Sequence, residues 1–348
     1  MRVVVVGASG NVGTALLRRL ANEPVVTSVV AVARRVPRAD GSSTVRFPHD
    51  LATWRYADVG AHDADERLDA AFAGADVVVH LAWAIQPSHD RRRLRRVNVD
   101  GTRRVVEAAR RAGVGHLVVA SSVGAYSPAP YAGEARDAPV SEAWPVEGVP
   151  GSSYSEDKAA VESLLDGVDR ERDGIVVSRV RSALVFQRDA ASEITRYFLG
   201  PFGTRVLRRA PLPTVPLPAG LRLQVVHADD LADAYARIVV GRHPGPFNVA
   251  HPTVLTAQHV ADVVSDGSWR EIPFATARTA VAAAWRARLV PVGEGWLDMA
   301  MRVPVLDSAL ATELLRWAPV HGAVDTLAEL VDGIRAGAGT STPPLLPR

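Results

Sequence analysis

Tyr154 and Lys158 lie four residues apart in the stretch GSSYSEDKAAVE, Gly151 to Glu162, and Lys158 is the only lysine in 348 residues. Lys and Arg together number 40, so the other 39 are Arg. On a helix, positions i and i+4 share a face. A phenol and an ammonium side by side form a proton-transfer device. The cation favours phenolate and is expected to draw the Tyr154 pKa down from about 10 toward working pH. Arginine also supplies charge, but its planar fork is not a compact ammonium. The plain alternative is an exposed helix start with an incidental Tyr and Lys. In a chain that uses arginine everywhere else, one lysine at this spacing favours chemistry.

A second group of residues suits a phosphate. Arg2 to Val6 reads as a buried parallel strand. Gly7, Ser9, Gly10, Asn11, Val12 and Gly13 follow at once in GASGNVG, ahead of helical patterning from Thr14 to Leu20. Strand, glycine turn and helix let backbone N–H groups approach a pyrophosphate at a helix N-terminus. The spacing is Gly-x-x-Gly-x-x-Gly rather than Gly-x-Gly-x-x-Gly. The next strand, Thr27 to Ala33, would end on an acid if it held the ribose 2′-OH of NAD. It ends on Ala33, and Arg34 and Arg35 come next. Two guanidinium groups favour a 2′-phosphate, hence NADP, with NAD kept open.

These groups need a frame. Further strands are expected over Val45 to Asp58, Asp76 to His80, His116 to Ala120 and Ile175 to Ser178, with helices over Asp65 to Phe72, Arg91 to Arg111 and from Tyr154 to Leu165. This βαβ rhythm predicts an α/β fold, a Rossmann-type doubly wound parallel sheet with helices on both faces, plus a smaller mixed C-terminal substrate domain. The expected division is residues 1–181 with a return segment 221–241 for the cofactor domain, 182–220 and 242–335 for the substrate domain, and 336–348 as a disordered tail. Ser127 to Pro150 reads as a loop over the site, and the proline-punctuated Arg205 to Gly220 as an extended pocket-lining segment. Asp229 and Asp230 are expected to cap the helix Leu231 to Val240.

In this frame the glycine loop, Ser122 and the Tyr154 helix all fall at the carboxyl ends of parallel strands, where such sheets bind ligands. Ser122 can hydrogen-bond a substrate oxygen while Tyr154 gives or takes its proton and a nicotinamide carries hydride. With no His or Asp partner in its motif, Ser122 is not expected to be a nucleophile. Composition narrows the classes further. Apolar residues make up 47% and charged ones 22%, the net charge is +2, and there is no cysteine. That describes a globular protein without disulfides, a thiol nucleophile or a field for nucleic acid. The arginine run from Arg91 to Arg96 keeps Leu94 and Val97 in an apolar stripe and reads as a solvated helix face. The 10 histidines are scattered, so no metal is expected. No apolar run reaches the roughly 20 residues of a membrane span, and the start is too short for a signal peptide, so a cytoplasmic location is expected.

The motifs as a set resemble the extended short-chain dehydrogenase/reductase superfamily, the NAD(P)-dependent epimerase/dehydratase group, from Arg2 to about Gly333. GASGNVG resembles its cofactor loop. VVVHLAW resembles the strand behind the nicotinamide ribose, with Leu81 and Ala82, and VNVDGT the helix start after it, with Asn98. ASSVGAYS resembles the serine motif, Ser122 standing four before Tyr126, and YSEDK the Tyr-x-x-x-Lys pair. The resemblance implies that Tyr154 is the general acid/base, that Lys158 binds the ribose hydroxyls and lowers the tyrosine pKa, and that Ser122 orients the reacting carbonyl or alcohol. It implies adenine contact at Asp58 with Val59, and a homodimer through the helices near Asn98 and Tyr154. The chain departs from the sugar-nucleotide enzymes at Leu184, where they carry a phosphate-contacting Asn, at Gln187 for a glycine, and at Leu223, beside Arg222, for an arginine. Val123 and Gly124 replace the Asp-Glu pair of 4,6-dehydratases.

Three readings follow. The first is an NADP-dependent oxidoreductase acting on a small-molecule carbonyl/alcohol pair, since a reductase exchanges its cofactor at each turnover. The second is a nucleotide-sugar 4-epimerase with tightly held NAD. The third is a non-catalytic NADP-sensing protein, a class that typically lacks the tyrosine kept here.

Overall fold

A computed structural model describes residues 1–36, 46–130, 133–171, 174–208 and 212–346. β1 (Arg2–Val6) is a valine run buried on both faces, the condition under which a strand loses its polar alternation. Around it lie β2 (Ser28–Ala33), β3 (Thr53–Tyr56), β4 (Val77–His80), β5 (His116–Ala120), β6 (Val176–Ser182) and β7 (Gly245–Val249). They form one sheet in the order β7-β6-β5-β4-β1-β2-β3. Every pairing in it is parallel. The strand order reverses between β1 and β4, which opens a crevice at their carboxyl ends.

The two faces of β1 are sorted by the period of two. Val3 and Val5 join Leu16, Leu17 and Leu20 of α1 (Asn11–Leu20) and Leu231, Tyr235 and Ile238 of the return helix. Val4 and Val6 join α2 (Ala64–Phe72) and the helices on the opposite side. There the expected single helix over Arg91 to Arg111 is divided. α3 (Arg91–Arg95) and α4 (Gly101–Arg111) are joined by a π turn, Arg96–Asp100, which carries Asn98. Leu94 is buried among exposed arginines, the solvated face that the arginine run predicts. α5 (Ser153–Glu171) carries Tyr154 and Lys158.

The C-terminal half departs from the expected division. Val225–His227 does not enter the main sheet but pairs with Leu184–Phe186. α6 (Ala228–Gly241) packs across α1 and returns the chain to the sheet edge, where Gly245–Val249 becomes β7. The sequence pattern assigns that strand to the substrate domain instead. The cap of α6 is His227, whose Nδ1 accepts from the Asp229 N–H at 3.1 Å, rather than Asp229 or Asp230. The rest is a set of short strand pairs and helices. Val215–Pro218 pairs with Trp269–Ile272, Pro139–Val140 with Val305–Leu306, and α7 (Glu294–Arg302), absent from the sequence reading, lies over α5.

Residues 337–346, expected to be a disordered tail, follow α8 (Ala323–Ala336) and fold back onto the body. Ser192 donates to the Ala338 carbonyl at 2.7 Å, and Arg196 donates to that of Pro344. Thr342 and Leu345 are fully buried, and the Thr342 hydroxyl donates to the Ser9 carbonyl at 2.9 Å. A composition of Gly, Ser, Thr and Pro reads as disorder when its apolar contacts lie far off in sequence; here buried side chains and hydrogen bonds supply the ordering energy.

Candidate active site

Ser122 follows β5 and caps the 3-10 turn Val123–Ala125, its Oγ accepting from the Gly124 N–H at 3.0 Å. Tyr154, in the first turn of α5, packs its ring against Gly124 beside Ser122. Burial pushes the phenol up to about 12, and Ser122 only partly opposes it. The expected lowering by Lys158 is therefore not what this geometry produces. The Lys158 Nζ donates to the Ala120 carbonyl at 2.8 Å and sits 3.6 Å above the Trp83 ring, against 5.8 Å from the Tyr154 ring. Burial pushes Lys158 itself down to about 7, against the upward pull of Glu162 and Asp157. A half-titrated ammonium held by a carbonyl and an indole exerts little on the phenol.

The glycine loop stands across the crevice. Gly7 has φ +94, and a Cβ there would meet the backbone of Leu81 and Ala82 at 2.6–2.9 Å. At Gly13 a Cβ would meet the Gly7 carbonyl at 2.5 Å. Both glycines are required by the protein's own packing. Gly10 is not: its φ is −87 and its nearest neighbour for a Cβ is 3.7 Å away. Gly10 N-caps α1 without a side-chain cap, and the first turn has no acid of its own. An open glycine at an uncapped helix start suits a dinucleotide pyrophosphate, so the residues fit an NAD(P) cofactor. Glu193, from the helix after Phe186, lies near this helix start, where the Asn11 N–H favours its charged form. Burial pushes its carboxyl up to about 7, against Arg196, that N–H and Arg35.

The other expected contacts divide. Arg34 and Arg35 are exposed beyond β2. Asp58 accepts from the Gly60 N–H at 3.0 Å in a turn that continues from β3, and Val59 is buried beside Gly101. Leu81 and Ala82 form the opposite wall of the glycine loop. Asn98 turns inward from the π turn, its Oδ1 accepting from the Ala84 N–H at 2.7 Å and its Nδ2 reaching Asp157 at 3.3 Å. It fastens the Trp83 segment to α5, and Arg91 clamps Asp157 with bonds of 2.7 and 2.8 Å.

Several residues escaped the sequence reading. Trp83 and Trp296 flank Tyr154, with ring centroids 5.9 and 4.9 Å away, and Phe198 packs edge-on to Trp296 at 5.1 Å. Gly124 is closely packed, since a Cβ would stand 3.0 Å from both Met299 Sδ and Tyr154 Cε1. Behind the site Glu162 is buried between Arg179 at 3.2 Å and Arg181 at 2.9 Å, and Ser121 donates to it. Burial alone would raise the Glu162 pKa; Arg181, Ser121 and Arg179 hold it below the ordinary range. Tyr126 bonds Asn248 at 2.7 Å and Arg181 at 3.0 Å, so it belongs to this support. Glu162 stands on the Lys158 face of α5, four residues on, a signal the sequence did carry.

The sequence pattern of the NAD dependent epimerase/dehydratase family matches residues 3–250. The chain belongs to that family. An uncharacterized protein of Mycobacterium tuberculosis is 29% identical over 266 residues, 75% of this chain, and the chain spans only 23% of that relative's length. An L-arabinose 1-dehydrogenase (NAD(P)(+)) of Haloferax volcanii is 36% identical over 121 residues, 35% of this chain and 41% of that protein. The UDP-glucose 4-epimerase of Thermus thermophilus, solved with NAD, superposes with a TM-score of 0.68 at 20% identity, covering 97% of this chain and 100% of that one. That likeness carries the fold. Among the described residues, no helix is long and apolar enough to cross a membrane.

Proposed function

We propose that this enzyme is an NADP-dependent oxidoreductase of a small-molecule carbonyl/alcohol pair. The observation that carries the reading is the placing of the Tyr154 ring against Gly124, whose N–H fixes the Ser122 Oγ after β5, with burial holding the phenol protonated. A protonated phenol is ready to donate to an oxygen that gains charge as its carbon is reduced. Ser122 Oγ, fixed by the Gly124 N–H, orients that oxygen. Lys158 would turn from the Ala120 carbonyl to ribose hydroxyls, and Arg34 and Arg35 would pair with a 2′-phosphate. Gly7, Ser9, Gly10, Asn11, Val12 and Gly13 would hold the pyrophosphate. The nicotinamide would supply or accept the hydride.

Tyr154→Phe should lower kcat about 10²–10⁴-fold while the Kd for NADP, measured by fluorescence titration, stays within about twofold. A Phe variant with near-normal turnover would remove the proton role. The second reading is a nucleotide-sugar 4-epimerase, favoured by the family and by the Thermus thermophilus structure. It requires NAD that copurifies with the chain and UDP-sugar conversion without net NADPH consumption. Dehydration is opposed by Val123 and Gly124, which supply no carboxylate beside Tyr154.

A further inference from the structure

A small cavity of about 50 Å³ opens beside Ser122's neighbour Val123 and runs under α7. Its walls include Val123, Leu184, Val254, Met299, Ala300 and Val303. By volume it holds about four water-sized groups. Met299 ties it to the reacting centre, because its Sδ and the Tyr154 Cε1 crowd the same side of Gly124. The polar side chains in the wall are turned onto the protein itself. Arg222 donates to the Asp137 carboxylate and the Val303 carbonyl, each at 3.1 Å, and to the Arg136 carbonyl. Gln224 accepts from the Leu306 N–H at 2.6 Å and donates to the carbonyls of His251 and Leu306. The Arg222 Nε is left without a partner, but it is a single donor in a wall otherwise built of apolar side chains, so an anionic group would lose most of its water contacts unreplaced. An apolar group would replace only apolar contacts. Around Tyr154, Trp83 and Trp296 add further apolar surface, with Phe198 packed on Trp296.

We propose that this cavity is the site for an apolar arm of the substrate, and that the carbonyl compound is an aliphatic or aryl ketone or aldehyde with a short hydrocarbon chain on the carbonyl carbon. The inference rests on the oxidoreductase reading above. The carbonyl oxygen lies between Ser122 and Tyr154, and the chain extends past Met299 toward Ala300 and Val303.

The test is a series of unbranched methyl ketones, butan-2-one through decan-2-one, assayed with NADPH, together with UDP-glucose. In the wild-type enzyme kcat/KM should climb roughly fourfold per methylene until the cavity fills, then level. Ala300→Leu should move the optimum to a shorter chain and lower the long-to-short ratio of kcat/KM at least tenfold. Val303→Ala should move the optimum to a longer chain. Thermal melting checks the fold of each variant, so that one poorly folded variant still leaves the other to report. Turnover without length dependence, or with a ratio unmoved in both variants, overturns the cavity assignment and leaves the oxidoreductase reading standing. Conversion of UDP-glucose with no ketone turned over in any length overturns both.

Discussion

Glu193 lies near the start of α1, where the proposed pyrophosphate would sit. Burial pushes its carboxyl up to about 7, so it takes on its charge as pH rises through neutrality. Two anions at one helix start repel. NADP binding should therefore weaken as pH rises from 7, up to tenfold per unit, and proceed with proton uptake. Glu193→Gln should abolish this slope and bind about tenfold tighter at pH 8, read by calorimetry in buffers of different ionisation enthalpy. An unchanged slope would show that the carboxylate moves aside without titrating. Arg34→Ala should weaken NADP at least tenfold and leave NAD within about twofold; equal loss for both would mean that Arg34 does not read the 2′-phosphate. At this scale the sequence was most legible where a backbone demand fixes the residue, as at Gly7 and Gly13. It misled on the Tyr154 pKa, because spacing says that a lysine is near and not that a carbonyl and Trp83 already hold it.

Among elements, α5 does two tasks with one stripe. Tyr154 and Lys158 face the crevice, and Glu162, one turn further, anchors the helix to β6 through Arg179 and Arg181. Both arginines are nearly sealed from solvent, so removing their shared partner leaves buried charge. Glu162→Leu should cost about 3–5 kcal/mol of unfolding free energy in urea and lower kcat less than it lowers stability. A loss under about 1 kcal/mol would mean that Asp166 and Asp169, which also accept from Arg179, suffice for it. The π turn at Arg96–Asp100 belongs to the same scale. It adds a residue to a helix whose apolar period looks continuous, and so could not be read from the pattern, yet it is what turns Asn98 onto Ala84 and Asp157. α7 was equally hidden: its role lies in placing Trp296 and Met299 over Tyr154, a contact between residues more than a hundred apart.

In the whole molecule, the sheet and its crevice were legible because β1, β2, β4, β5 and β6 are local valine-rich runs. The interleaving of the two halves was not. β7 joins β6 and Val225–His227 leaves the sheet, choices that depend on pairings no local pattern records. The tail is the extreme case. Thr342 reaches Ser9 across 333 positions of sequence. Thr342→Val, nearly the same shape, should lower stability by about 1 kcal/mol and speed amide exchange over Gly10–Gly13. Unaltered exchange would show that the glycine loop keeps its shape unaided.

That contact also has a meaning in time. The glycine loop is made early, and the residue that fastens it is made 333 residues later. At roughly 5–20 residues per second, synthesis takes about 17–67 s to cover that distance. Throughout this interval the nascent chain has its glycine loop without Thr342 to fasten it, so whatever that one bond adds to the loop arrives only at the end of synthesis.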